Sequence, residues 1–219
     1  MSKKSWGNYP KINNFVHNYK NSGGLKKIID EFDDLIAYGN GRSYGDSALN
    51  TRIISSEKNN DLISFDTSTG LIHVGSGKLL SEILEEFVPK GWFLNVCPGT
   101  KYITVGGAIA SDVHGKNHHK DGCFSECLEE FDIMLANGSI VSCSRKLTPE
   151  LFKATCGGQG LTGVIINAKF FLKKIDSQYL KQNIIKTSSL DETFKVFEEN
   201  KDEAYSVAWI DCLAKGPNL

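Results

Sequence analysis

Apolar residues in this chain come in short runs set off by glycines and polar turns. The run Leu-Ile-Ala-Tyr at 35–38 stops at a glycine and predicts a buried strand. Residues 61–65 (DLISF) and 71–75 (LIHVG) flank the turn DTSTG, which predicts a hairpin. Between 76 and 90 the spacing changes. Leu79, Leu80, Ile83, Leu84 and Phe87 share one helical face, and Gly91 lies just past its end. A short strand is expected at 92–96, and the small residues of 104–112 read as a helix packed closely on its surroundings. The runs 131–136 and 139–143 flank Asn137-Gly138, a strong hairpin signal. Pro149 stands at the first position of a further helix, and 164–173 is a long strand. Residues 1–30 read as polar and irregular, anchored by Trp6, Tyr9 and Pro10.

Strands and helices are mixed, hairpins dominate and regular βαβ repetition is missing. The predicted fold class is therefore α+β. At 219 residues the chain amounts to about one and a half domains. After Lys174 the glycines give way to a predicted strand at 179–185, a helix at 190–199 and a strand at 205–210. This division predicts a first domain at 1–174, with subdomains about 1–75 and 76–174, then an incomplete second domain at 175–219. An unfinished sheet edge at 205–210 is a liability for a monomer, which leaves pairing with another chain or a second copy open.

Lys and Arg number 25 and Asp and Glu 26, a net charge of −1, which argues against a nucleic-acid binder. The opening MSKKSWGNYP has no apolar leader segment, and no apolar stretch approaches membrane-spanning length. With six scattered cysteines, the expectation is a cytoplasmic protein with reduced thiols.

Glycine is the outlier, 21 residues against 5 prolines, gathered in clusters at 39–45, 70–77, 99–122 and 157–163. GNGRSYGD (39–46) follows a predicted strand, so its amides suit an anion and Arg42 adds charge. It is no Walker loop, and Tyr44 stands where the dinucleotide fingerprint needs its third glycine. Alone it is more often a tight turn. His114, His118, His119, Cys123 and Cys127 raise the question of zinc, but their spacing fits loosely, and no metal is expected. His114, after a small-residue segment, is the best placed of the histidines for acid–base work. No Gly-x-Ser-x-Gly elbow is present, and Cys156 reads as a core thiol.

Taken together, GNGRSYGDSALN (39–50), PGTKYITVGGAIASDVHGKNHHKDGCF (98–124), FDIMLANGSI (131–140) and ELFKATCGGQGLTGVI (150–165) resemble the FAD-binding domain of the vanillyl-alcohol-oxidase/p-cresol-methylhydroxylase type. Within it, they are most like the decaprenylphosphoryl-ribose oxidase group. The resemblance implies two subdomains clasping FAD, followed by an α+β substrate (cap) domain of which only the start matches here. It implies that Gly39, Asn40, Gly41, Arg42, Ser43, Tyr44, Gly45, Asp46 and Ser47 wrap the pyrophosphate. Gly99, Thr104, Val105, Gly106 and Gly107 line the cofactor, Ser111, Asp112, Val113 and His114 lie near it, and Ile165 packs beside the adenine or ribitol. Tyr44 and His114 correspond to active-site positions, and Lys116 is a candidate contact for an anionic substrate or the flavin. Arg42 takes the place of a histidine that carries covalent flavin in some relatives, so dissociable FAD is implied. The implied chemistry is oxidation of a sugar hydroxyl on a small or lipid-linked sugar. Aldonolactone or alditol oxidation, an enolpyruvyl-sugar reductase and a binding fragment that needs a C-terminal partner chain or a reductase subunit are the alternatives. From another class, a zinc-binding module remains, and the features are compatible with peripheral membrane association.

Overall fold

The computed structural model describes residues 2–210, Cys212 and Leu213. Its first sheet is built from strand β1 (Phe15–Asn18), helix α1 (Ser22–Glu31), β2 (Leu35–Tyr38) and β3 (Arg52–Ser55). The N-terminal region is thus regular, contrary to expectation. The Asn21 carboxamide accepts the Gly24 amide at 2.9 Å and starts α1, whose apolar face is Leu25, Ile28 and Ile29. Gly23, Gly24 and the pair Lys26-Lys27 hide that face in the sequence. The strand order is β1-β3-β2, all parallel, with α1 as the crossover. One βαβ unit therefore sits inside a chain that reads mostly as hairpins.

The second sheet contains β4 (Leu62–Phe65), β5 (Leu71–Gly75), β6 (Trp92–Leu94), β7 (Leu128–Met134), β8 (Ile140–Cys143) and β9 (Val164–Lys174). Its order is β4-β5-β9-β7-β8, with β6 pairing the far end of β9. The helices inserted along it are α2 (Leu80–Phe87), α3 (Val105–Ala110), the single turn α4 (His118–Asp121) and α5 (Pro149–Thr155). Both expected hairpins form, and Pro149 opens α5. The two sheets divide between Ser55 and Leu62, earlier than the expected residue 75, because β4 and β5 join the larger sheet through β9.

The main core lies on one face of the larger sheet. Phe87 of α2, Val105 and Ile109 of α3 and Phe152 of α5 pack with Ile72, Phe131, Ile165 and Phe170 of the strands. Alternation along β9 sends Val164 and Ile166 the other way, where they meet Tyr19, Leu25 and Ile54 of the first sheet. A polar joint closes this seam. The Tyr19 hydroxyl donates to the Ile165 carbonyl at 3.3 Å and lies 3.2 Å from Ser76 Oγ, while Asn59 Nδ2 donates to Ile166 O. Each buried polar group in the joint thereby has a partner.

Beyond β9, helix α6 (Leu190–Glu199) forms as expected, its amide at Glu192 capped by Ser189 Oγ at 3.2 Å. The strands expected at 179–185 and 205–210 do not form. Both segments run outside any ladder. Ile184, Phe194 and Trp209 are exposed. Residues 202–206 nevertheless return to the main body as a strap. The Ser206 amide donates to Lys116 O at 2.9 Å, His119 Nε2 donates to Glu203 O at 2.9 Å, and Lys173 sits 4.8 Å from the Tyr205 ring. Residue 211 and residues 214–219 of the expected second domain lie outside the described residues. Among the described residues no helix is long and apolar enough to cross a membrane.

Candidate functional site

A cleft of about 360 Å3 opens where the carboxyl ends of β2 and β3 face α3 and the start of β9. That volume falls within the roughly 300–1,000 Å3 usual for small-molecule sites. One wall is the loop after β2: Gly39, Asn40, Gly41, Arg42, Ser43, Tyr44 and Ser47. The opposite wall is Thr104, Gly106, Gly107, Ser111 and Val113, with Ile165 from β9. Thirteen of the residues singled out by sequence therefore meet around one space.

The loop's shape follows from its glycines. Gly41 (φ +63°) and Gly45 (φ +57°) are left-handed, a conformation cheap only for glycine. A Cβ at Gly41 would overlap the Tyr38 hydroxyl and the Lys4 carbonyl, which are joined by a 2.7 Å hydrogen bond. Desolvation by burial holds the Tyr38 phenol above its ordinary pKa. Among the described residues, no protein acceptor meets the backbone N–H groups from Asn40 to Gly45. Arg42 caps this run: Nη1 donates to Asn40 O at 3.1 Å, and the guanidinium lies 5.7 Å from the Trp6 ring. Donors without partners, set among left-handed glycines and flanked by a guanidinium, are the donor set of an anion-binding nest.

The α3 wall contributes shape, not donors. The Val105 amide donates to Lys78 O at 2.9 Å, Gly106 to Ser76 O at 2.8 Å and Gly107 to Thr104 Oγ1 at 3.1 Å. Gly39 faces this cap, since a Cβ there would overlap Thr104 Oγ1. Small residues at Gly106, Gly107 and Ala110 keep this wall low, so a flat ring can lie against it.

The other expected residues lie elsewhere. Val105 is fully buried on the core side of α3. Gly99 sits in the turn before α3, and Gly45 and Asp46 sit on the outer arc of the loop, away from the cleft lining. Asp112 turns away to accept the Ser125 amide and hydroxyl at 2.9 and 3.0 Å. His114 and Lys116 are exposed on the loop that leaves the cleft wall at Val113. That loop is pinned from beneath. Gly115 presses on the Cys97 carbonyl, which a Cβ would overlap, and buried Asn117 donates from Nδ2 to Asn95 O and Asp121 Oδ2. Asn117 carries no signal that separates it from its neighbours in HGKNHH; only its burial marks it. Sequence reading also missed Ser76, Ala110, Gln159 and Gly163 in the lining, since each serves through position in the fold.

A second depression, about 560 Å3 and open to solvent, lies behind the loop and is rimmed by Asp112, Asp121 and Glu126. Its acidic rim disfavours a phosphate. The His/Cys cluster does not converge on a metal position. His118 Nδ1 is 3.9 Å from Cys123 Sγ, Cys127 donates its thiol to Phe124 O at 3.2 Å, and His119 is held by the strap. Among the described residues, no group of three or more His, Cys, Asp or Glu is placed to hold a metal ion.

Burial pushes the Cys127 and Cys156 thiols up to about 12 from an ordinary 9.0, and it raises the Tyr19 phenol too. Above pH 9 the unfolded thiols release protons that the folded ones keep, so the folded state binds more protons and stability falls as pH rises. The urea midpoint is expected to drop from about pH 8 to about pH 10. A midpoint that holds steady or rises over that range would show these groups to be open to solvent.

Comparison with known proteins follows this geometry. A family model described as an FAD binding domain matches residues 27–144. The decaprenylphosphoryl-beta-D-ribose oxidase of Mycolicibacterium smegmatis is 40% identical over 195 residues, covering 84% of this chain and 41% of that protein. A putative D-arabinono-1,4-lactone oxidase of Neurospora crassa is 29% identical over 156 residues, 71% of this chain and 27% of that protein. Cytokinin dehydrogenase 2 of Arabidopsis thaliana is 33% identical over 101 residues, 45% of this chain and 20% of its own length. The chain thus spans well under half the length of these relatives.

Proposed function

Because the chain belongs to the FAD binding domain family, a match covering over half its length, we propose that it holds FAD without a covalent bond and serves an oxidoreductase acting on a sugar hydroxyl. The observation that carries this is the run of unmet backbone donors from Asn40 to Tyr44 beside the guanidinium of Arg42. A pyrophosphate supplies the acceptors that this run lacks. Gly106, Gly107 and Ala110 leave room for a flat ring, and Ile165 and Ile54 give it apolar surface. No lining residue on the loop is a histidine, which supports dissociable cofactor.

Bound FAD supplies a two-electron acceptor for hydride from a carbinol carbon. The chain's own work is to bind, orient and manage the proton. His114, exposed and edge-on to His118 at 5.2 Å between ring centroids, takes the hydroxyl proton on its imidazole. Tyr44, exposed at the lip, orients the sugar, and Lys116 offers charge to an anionic group on the substrate. The smegmatis relative's name points to a polyprenyl-phosphate-linked ribose, which supports a phosphorylated, lipid-linked sugar as the substrate class. Residues 175–210 belong, on this reading, to a substrate domain whose sheet is completed by further polypeptide. Their unladdered segments and exposed Ile184, Phe194 and Trp209 favour that over a free-standing unit.

The test is direct. Purified protein mixed with FAD and desalted is expected to keep absorbance near about 370 and 450 nm. Acid precipitation is expected to leave the pellet colourless and the flavin in the supernatant. Colourless desalted protein would overturn the cofactor assignment, and a yellow pellet would overturn dissociable attachment.

A further inference from the structure

The Gly-Gly-Gln-Gly turn that precedes β9 contains a side chain with no structural task. Gly157, Gly160 and Gly163 have φ of +79°, +79° and +147°, as glycines can. A Cβ at Gly158 would overlap the Ala154 carbonyl. Gln159, in their midst, also stands at φ +54°. Among the described residues only Asn8, Asp112 and Gln159 take positive φ without being glycine. Asparagine tolerates that region best of the larger residues, and the carboxylate of Asp112 is held by Ser125. Gln159 has neither reason.

The backbone at this position has a clear task. Its amide donates to Ala110 O at 2.8 Å, and the Gly157 amide donates to Ile109 O at 3.0 Å, which clamps the turn onto the end of α3. Glycine would make those bonds as well and avoid the strain. The side chain, by contrast, is exposed at the lip of the cleft, and no described group meets its carboxamide. A strained, unpartnered polar group on the wall of a binding site is the pattern expected of a residue kept for its ligand.

We propose that Gln159 is a cofactor-contacting residue, its carboxamide hydrogen-bonding a polar edge of FAD. This rests on the cofactor reading above. A carboxamide offers a donor and an acceptor side by side, which suits the paired donor and acceptor of a heteroaromatic edge. The contact trades backbone comfort for affinity, so relief of the strain and loss of the ligand go together.

The test is an FAD titration, followed by flavin fluorescence, on the wild-type chain, Gln159→Gly and Gln159→Leu, with thermal melts of each without FAD. Gln159→Gly is expected to weaken FAD about tenfold, the equivalent of about 1.4 kcal/mol, without lowering Tm. Gln159→Leu, which keeps a side chain but no hydrogen bond, is expected to weaken FAD to a similar degree. If Gln159→Gly binds FAD within about twofold of wild type, the inference fails while the cofactor reading stands. If wild type itself binds no FAD, both fail together.

Discussion

Gly41→Val yields a folded chain that no longer retains FAD. The position is left-handed at φ +63°, where a β-branched residue is strained, and its Cβ would overlap both the Tyr38 hydroxyl and the Lys4 carbonyl. The loop must swing away, and it carries the unmet donors between Asn40 and Tyr44 with it. Loss of two charge-assisted hydrogen bonds, each worth about 1.5 kcal/mol or more, weakens FAD by about a hundredfold or more. The fold loses only about 1–2 kcal/mol, because the loop lies at the edge of the smaller sheet. Gly45→Ala is the control: the same left-handed backbone, but open space around the added carbon. Flavin titration and circular dichroism on both variants separate the two effects. Near wild-type affinity in Gly41→Val would remove the nest from the cofactor site.

The largest loss of stability is expected from Phe170→Ala. Phe170 is fully buried at the middle of β9, opposite Ile72 of β5 and Leu128 of β7, with its ring 5.2 Å from that of Phe124. At this position β9 is paired on both sides, with β5 and β7, so a void there cannot collapse from one side. The cost is about 3–5 kcal/mol, a large share of the stability of an ordinary domain. Phe194→Ala, on the exposed face of α6, is expected to change unfolding by about 0.5 kcal/mol or less. Urea unfolding of both variants checks this. A loss at Phe170 no larger than that at Phe194 would mean that the main core is not where the packing puts it.

The parts of this fold that were legible in sequence are those with a local cause. Asn137-Gly138 between two apolar runs announces its hairpin because only such residues accept that turn. Pro149 marks its helix, and 164–173 carries enough apolar length to be a strand on its own. β1 and β3 were not legible. Four residues each, with few apolar positions, they become strands only because the βαβ crossover brings them together. The errors at 179–185 and 205–210 run the other way. Their residues favour strands, but a strand is a pairing and not a property of one segment. The same division holds at the site. The glycine loop was readable because its backbone demands glycine, whereas Asn117 and Gln159 matter through burial and through position, which no single-residue pattern announces.

The strap at 202–206 sets an order of mobility around the loop of His114 and Lys116. Its ties to the body are one backbone hydrogen bond to Lys116, one imidazole contact to Glu203, a ring under Lys173 and an exposed ion pair between Lys120 and Asp202 at 3.8 Å. Few buried apolar contacts support them, so this segment belongs to the low-stability end of the molecule. Its amide at Ser206 should exchange with deuterium far sooner than those of β9. The loop of His114 and Lys116 is therefore held on two sides by attachments of unequal strength: Gly115 and Asn117 on the sheet side, a strap that opens cheaply on the other.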